Sequence, residues 1–282
     1  MNDRILARVA LLLLSFAALV AGAGAAAASP GRLAAVPRAA PAPAARPAPG
    51  LSRLPSGAIA YLPARADRAR PLPLLVLLPG TNGTAAEMIR ALRPAADRHG
   101  VLLLALRSRG ENWDAVDAFF DAYEAGTAAG RALWPVPRFG ADVGRIDAAL
   151  ADLFARVPVD PARIGLLGFS HGASYALSLG AANRRLFSTI VALSPGILVL
   201  PEGSGSGGGG GGGGGQVVYL SHGLRDRILP YRRTREAFLP RLLALGFRVT
   251  FRPFDGDHVL PDAVAEEAVR LFVAGGARLG LG

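Results

Sequence analysis

The chain has 282 residues, of which 51% are apolar and 18% charged, with 36 glycines and no cysteine. This length suits one large domain whose core needs no disulfide or metal for stability. The lack of cysteine excludes disulfides, thiolate metal sites, iron–sulfur clusters and a cysteine nucleophile. The net charge of +10 includes +7 from residues 1–70, and every basic residue is arginine. This uniform usage indicates a coding bias more than a binding patch, so we expect no nucleic-acid partner.

The amino-terminal residues have the pattern of an export signal. Arg4 and Arg8 precede an apolar stretch from Val9 to Val20, which is followed by small residues from Ala21 to Ala28. A basic start, an apolar segment and an Ala-x-Ala exit are typical of a secretory signal peptide, which we assign to residues 1–28. The prediction is a secreted or periplasmic protein without stable membrane insertion after cleavage. The alternative is an uncleaved membrane anchor, because the alanine-rich extension nearly reaches spanning length.

Two low-complexity segments flank or interrupt the rest of the chain. Residues 29–54 consist mainly of proline, alanine and arginine without apolar periodicity, which predicts a disordered linker. Its arginines could instead bind an anionic envelope. Residues 203–215 are almost all glycine and predict a flexible surface loop. The catalytic domain is therefore expected to span residues 55–282.

From residue 57 onward, strand and helix patterns alternate. Short apolar runs predict strands at 58–62, 74–78, 101–106, 164–168, 189–193, 217–221 and 249–254. Helical periodicity or capping signals predict helices at 84–99, 139–157, directly after Ser170, 231–245 and 261–273. This alternation predicts an α/β fold with a mostly parallel sheet and helices on both faces. Ligands of such sheets bind at the carboxyl ends of the strands, so the catalytic residues should follow strands.

A candidate nucleophile lies in the sequence Gly168-Phe169-Ser170-His171-Gly172, which follows a predicted strand and opens a predicted helix. A serine on a sharp strand-to-helix turn projects its hydroxyl above the sheet, and small neighbours let the turn close. The helix amino terminus beside it favours developing negative charge. The alternative is that Ser170 only caps the helix.

The serine needs a base and an orienting carboxylate, which on such sheets follow it in the order acid, then histidine. Asp226 lies in the loop after one strand and His258 in the loop after the next. The predicted triad is therefore Ser170, Asp226 and His258. His222 could replace His258 as base but is interpreted as a structural residue. Asp255 and Asp257 could replace Asp226, although they lie very near His258 in the chain.

The oxyanion hole is predicted from two backbone N–H groups. One belongs to His171, which follows the nucleophile, and the other to Thr81, in the loop after an earlier strand. Gly80 lets that loop approach closely. No cofactor and no metal are required for this chemistry.

Residues 110–138 are expected to supply part of the pocket rim. Their aromatic residues could line an apolar acyl or aryl site, or could equally belong to the core; they are Trp113, Phe119, Phe120, Tyr123 and Trp134.

These motifs resemble the α/β-hydrolase superfamily, and within it the phospholipase/carboxylesterase branch, which is similar to dienelactone hydrolases. The resemblance covers about residues 57–275 and rests on Leu77-Leu78-Pro79-Gly80-Thr81-Asn82-Gly83, Asn112-Trp113-Asp114, Val159-Asp160-Pro161-Ala162-Arg163-Ile164, Gly168-Phe169-Ser170-His171-Gly172, Ser194-Pro195-Gly196, His222-Gly223-Leu224-Arg225-Asp226 and Asp257-His258.

The resemblance implies that Ser170, Asp226 and His258 form the triad of an esterase that cleaves small-molecule carboxylic esters through an acyl-enzyme. Two features depart from the family: Pro79-Gly80 replaces the usual His-Gly, and the glycine tract lengthens a loop that is usually short. The alternatives are a peptidase or polyester depolymerase on the same fold, or a non-catalytic binding scaffold. The oligomeric state stays open.

Overall fold

The computed structural model of the protein describes residues 31–37, 48–67, 70–128, 137–201, 204 and 216–275. Its strands are β1 (Gly50–Arg53), β2 (Ile59–Leu62), β3 (Leu72–Leu78), β4 (Leu102–Ala105), β5 (Val159–Phe169), β6 (Thr189–Leu193), β7 (Val217–Gly223) and β8 (Arg248–Phe254). Its helices are α1 (Ala85–His99), α2 (Asp114–Ala128), α3 (Ala141–Phe154), α4 (His171–Ala182), α5 (Tyr231–Arg233), a π-helical turn (Thr234–Phe238), α6 (Leu239–Ala244) and α7 (Asp262–Val273).

The described strands form one eight-stranded sheet in the order β1-β2-β4-β3-β5-β6-β7-β8. β2 runs antiparallel to both of its neighbours, and all other pairs are parallel. Every residue of β3, β4, β6 and β7 is buried. Such continuous apolar strands are expected where helices cover both faces of a parallel sheet. The predicted α/β-hydrolase fold, with its mostly parallel sheet, is confirmed.

The two faces of the sheet carry separate apolar layers. On one face, α1 and α7 pack against the sheet through residues such as Leu92 and Phe272. On the other face, α3 and α4 pack through residues such as Ile146 and Leu177. Each layer buries the apolar stripe of an amphipathic or wholly buried helix against β-branched and leucine side chains of the strands. The helices leave the carboxyl ends of the strands uncovered, and the loops that follow the strands lie there.

The ends of α1 lie where the capping signals predict them. Thr84 accepts a hydrogen bond from the backbone of Glu87, whose carboxylate in turn accepts one from the backbone of Thr84. Gly100 ends the helix with a φ of 66°, a conformation that glycine adopts without steric cost. The predicted helix at 231–245 is instead divided by the π-helical turn, and α2 was not predicted. No described helix is long and apolar enough to cross a membrane.

The predicted disordered linker at 29–54 is wrong in two parts. Residues 50–53 form β1, which pairs with β2. Residues 31–37 lie against the domain, where the side chain of Asn183 accepts a hydrogen bond from the Leu33 N–H at 2.9 Å and donates one to the Gly31 carbonyl at 2.7 Å. These segments are ordered by backbone hydrogen bonds, which leave no apolar pattern in the sequence. The predicted signal peptide and, except for Ser204, the glycine tract lie outside the described residues.

Candidate active site

Ser170 lies on a strained turn between β5 and α4. Its φ and ψ angles are 56° and −123°, a combination that residues other than glycine rarely adopt. The two flanking glycines are required by close approach of the backbone. A Cβ atom on Gly168 would lie 2.0 Å from the Gly172 carbonyl oxygen, and one on Gly172 would lie 2.2 Å from the Leu78 carbonyl oxygen. The turn therefore explains both glycines of the motif and leaves the serine, 8% exposed, at its apex.

Backbone strain among the described residues is concentrated at this edge of the sheet. The described residues other than glycine that have positive φ are Ser170, Asn82 at 55° and Ser194 at 51°. Asn82 lies in the loop after β3, and Ser194 follows β6 directly. Each such residue costs roughly 1–3 kcal/mol, and such costs persist mainly where surrounding structure imposes them, often at functional sites. The three strands whose loops carry this strain are β3, β5 and β6, which are neighbours in the sheet.

Asp226 and His258, predicted as acid and base, are hydrogen-bonded to each other. His258 Nδ1 lies 2.7 Å from Asp226 Oδ2, and both side chains are nearly or fully buried. The other carboxylate oxygen, Oδ1, accepts hydrogen bonds from the N–H groups of Ile228 and Leu229 at 2.9 and 2.8 Å. Since the carboxylate is fixed at both oxygens, it can orient the imidazole and hold one tautomer.

The geometry separates Asp226 from the rival acids. The side chains of Asp255 and Asp257 are 73% and 50% exposed and form ion pairs with Arg225 and Arg227. Asp257 Oδ1 accepts the backbone N–H of Arg227 and that of His258, and these bonds lower the pKa of its carboxyl. The carboxylate that is hydrogen-bonded to the His258 ring is that of Asp226.

His258 lies beside a residue that flanks Ser170. Its ring centroid is 4.9 Å from that of Phe169, the residue before Ser170. The structure thus brings the imidazole of His258 to the turn that carries Ser170.

The predicted oxyanion loop lies against Ser170. A Cβ atom on Gly80 would lie 2.9 Å from Ser170 Cβ and 3.5 Å from Ser170 Oγ, so only glycine permits this approach. Among the residues that the structure describes, none accepts a hydrogen bond from the N–H of Thr81 or of His171. Two free backbone donors next to a serine hydroxyl are the arrangement that stabilises a developing oxyanion.

Side chains join the two predicted oxyanion donors. His171 Nδ1 lies 2.8 Å from Thr81 Oγ1 and 2.7 Å from Asn112 Oδ1. Asp117 fixes the amide of Asn112 by accepting a hydrogen bond from its Nδ2 at 2.9 Å. Because Asn112 Oδ1 can only accept, His171 carries its proton on Nδ1, and burial lowers the pKa of this ring. The sequence analysis missed Asn112 and Asp117 as site residues, although Asn112-Trp113-Asp114 was one of the family motifs.

The aromatic residues of 110–138 divide between core and site. Trp113 is buried and donates its indole N–H to the Pro79 carbonyl at 2.9 Å, so it supports the oxyanion loop from the core. Phe120 on α2 lies with its ring centroid 5.6 Å from that of His171. Phe119 stacks on Tyr123, which is half exposed. Trp134 lies outside the described residues.

The fold and this site can be compared with known proteins. No family model matches the chain. The chain aligns with the crystal structure of esterase PE8 with a TM-score of 0.52 and 26% identity over 79% of this chain and 97% of that one. The chain has the α/β-hydrolase fold.

Further similarities agree with this assignment. The chain aligns with an S-formylglutathione hydrolase from Agrobacterium tumefaciens with a TM-score of 0.53 and 17% identity, over 79% of this chain and 90% of that one, which supports the fold alone. It is 33% identical over 138 residues to a Nocardia uniformis subsp. tsuyamanensis protein named "Putative esterase NocK". That alignment covers 46% of this chain and 36% of NocK, so the chain spans about a third of that relative's length.

Proposed function

We propose that the protein is a serine hydrolase of carboxylic esters. The observation that carries the proposal is the convergence at one sheet edge of a strained, nearly buried serine and a hydrogen-bonded Asp226–His258 pair. The similarity to esterase PE8 and to NocK supports ester hydrolysis as the reaction class.

In the proposed reaction, His258 removes the proton of Ser170 Oγ as that oxygen attacks the ester carbonyl. The N–H groups of Thr81 and His171 then stabilise the oxyanion of the tetrahedral intermediate. When the intermediate collapses, His258 gives the proton to the leaving alcohol, and the acyl group stays on Ser170. Water attacks the acyl-enzyme with His258 again acting as base, which releases the acid and restores the serine.

The test is hydrolysis of nitrophenyl esters of increasing acyl length, together with labelling by a fluorophosphonate. We expect the wild-type protein to hydrolyse these esters and to be labelled, and Ser170→Ala to lose both while remaining folded. Loss of the nucleophile typically lowers the rate by about 10⁴ to 10⁶. A Ser170→Ala variant that keeps a tenth of the wild-type rate would refute the assignment, and a wild-type protein that stays unlabelled would indicate a binding scaffold.

We also propose that the protein is exported, with residues 1–28 removed as a signal peptide. The support is the order of basic, apolar and small residues at the amino terminus. Amino-terminal sequencing of protein recovered from the periplasm or the medium should give a start near Ser29. Recovered protein that begins at Met1 would contradict cleavage.

A further inference from the structure

A second histidine contacts the acid of the proposed triad. His222 Nε2 lies 3.1 Å from Asp226 Oδ2, the same oxygen that His258 Nδ1 contacts at 2.7 Å. The side chains of His222 and Asp226 are both completely buried. The ring of His222 therefore lies against the carboxylate from within the protein, whereas His258 is hydrogen-bonded to it.

The hydrogen bonds of His222 fix where its proton lies. Its Nε2 is 2.7 Å from the Leu229 carbonyl oxygen, which can only accept. Nε2 therefore carries a hydrogen, which it donates to that carbonyl. Burial lowers the pKa of His222, so the ring is neutral and Nδ1 holds a lone pair. The hydroxyl of Thr234 lies 2.9 Å from Nδ1 and donates to it.

These contacts link His222 to the Asp226 carboxylate by two routes. Leu229 donates its N–H to Asp226 Oδ1 and accepts from His222 through its carbonyl oxygen. The Nε2 atom of His222 also lies 3.1 Å from Oδ2 of the same carboxylate. Rotation of the carboxylate would break the Leu229 bond at Oδ1 and the His222 contact at Oδ2, so the position of Oδ2 is fixed before His258 binds to it.

Thr234 owes its place to an irregular helix. It is the first residue of the π-helical turn Thr234–Phe238, and it is completely buried. The wider π turn changes which residues face inward, and such turns occur frequently at functional sites. Here it presents a hydroxyl to the one nitrogen of His222 that lacks a hydrogen.

We propose that His222 is a positioning residue that holds the Asp226 carboxylate for His258, in a tautomer set by Thr234. This inference rests on the proposed function, since it assigns a role within that triad. It replaces the interpretation of His222 as a purely structural residue.

The test compares two replacements of His222 that differ in one N–H group. His222→Gln keeps an N–H donor near the position of Nε2, whereas His222→Phe keeps a ring of similar size without any donor. Per folded molecule, we expect His222→Phe to lower kcat by about ten- to a hundredfold, the range for a hydrogen bond to a charged group. KM should stay within about twofold, because the residue does not touch the substrate. His222→Gln should recover most of kcat.

A histidine elsewhere in the fold supplies the matched control. His99 Nε2 lies 2.7 Å from Glu266 Oε1, so this pair is also an imidazole–carboxylate bond, but it joins α1 to α7 away from the site. His99→Phe should leave kcat unchanged per folded molecule.

Three results would overturn the proposal. The first is a wild-type kcat in His222→Phe, the second is an equal loss of kcat in His222→Phe and His222→Gln, and the third is a change in KM alone. If His222→Phe does not fold, Thr234→Val decides instead, because valine matches the shape of threonine without its hydroxyl. We then expect a severalfold loss of kcat that Thr234→Ser reverses, and an unchanged kcat in Thr234→Val overturns the proposal.

The same assays separate this inference from the proposed function. If Ser170→Ala and His258→Ala still hydrolyse esters, the proposed function fails. If both are inactive while the His222 and Thr234 variants match wild type, only the positioning role fails.

Discussion

Adding one methyl group to Gly168 should disable the nucleophile. In Gly168→Ala, the new Cβ would lie 2.0 Å from the Gly172 carbonyl oxygen, 2.2 Å from its carbon and 2.5 Å from the Ala173 nitrogen. The shortest of these distances falls 1.4 Å below the 3.4 Å at which ordinary contact begins. All three atoms are backbone, so no rotamer change can relieve the overlap, and the turn itself must move.

The size of that movement sets the expected effects. Overpacking of this kind costs about 1–3 kcal/mol, which for a domain of this size lowers Tm by about 2–12 °C. A displacement on the order of 1 Å at a reacting group costs about 10²-fold in kcat/KM. Calorimetry measures the first effect, and the rate of fluorophosphonate labelling per folded molecule measures the second.

A second glycine variant provides the control for this experiment. Gly144 lies within α3, and a Cβ atom there would meet nothing within 4 Å. Gly144→Ala should keep the wild-type labelling rate and gain up to about 1 kcal/mol of stability from the better helix former. If Gly168→Ala also keeps the wild-type Tm and labelling rate, then the turn tolerates a side chain and the steric explanation of the motif is wrong.

Three further predictions concern the surroundings of the site. Trp113→Phe removes the hydrogen bond to the Pro79 carbonyl and should lower the free energy of unfolding in urea by about 1 kcal/mol. It should also lower kcat, because the predicted oxyanion loop loses this contact. An unchanged kcat would show that the loop does not need the hydrogen bond. Because burial lowers the pKa of His222, the unfolded chain binds more protons than the folded one near the ordinary histidine pKa of about 6.5. The free energy of unfolding should therefore fall as pH drops through that range, and it should fall less steeply in His222→Gln. Equal slopes of unfolding free energy against pH in the two proteins would contradict this. Asn183→Ala removes the hydrogen bonds that this side chain makes with the Leu33 N–H and the Gly31 carbonyl, and it should cost about 1–3 kcal/mol. An unchanged urea midpoint would show that these two bonds do not stabilise the domain.

The strands at the centre of the sheet could be predicted because buried strands consist mainly of apolar residues. Thr189–Leu193 has the predicted bounds, since a strand covered on both faces is almost wholly apolar, here at every position but Thr189. β1 at Gly50–Arg53 has no such signal. It lies at the edge of the sheet with three of its four side chains exposed, and only backbone pairing with β2 holds it there.

Some residues of the candidate site could likewise be predicted from the sequence, and others could not. Ser170, Asp226 and His258 each follow a strand, so the sheet topology alone brings them to one edge. The contacts around them join loops that are far apart in sequence, such as the 59 residues between Asn112 and His171. Which of two histidines carries a proton, and on which nitrogen, depends on carbonyl and hydroxyl groups that no local pattern specifies.

The ordered segment at residues 31–37 determines how the domain would be presented on a surface. α4 begins directly after Ser170, and its 12 residues extend about 18 Å toward the opposite end of the strands. Asn183 follows its last turn and holds Gly31 and Leu33 there. A membrane anchor, wall attachment or affinity tag placed ahead of Gly31 would therefore join the protein at the end of α4 remote from Ser170. In an immobilised molecule, the end of the sheet that carries Ser170 would be directed away from the support.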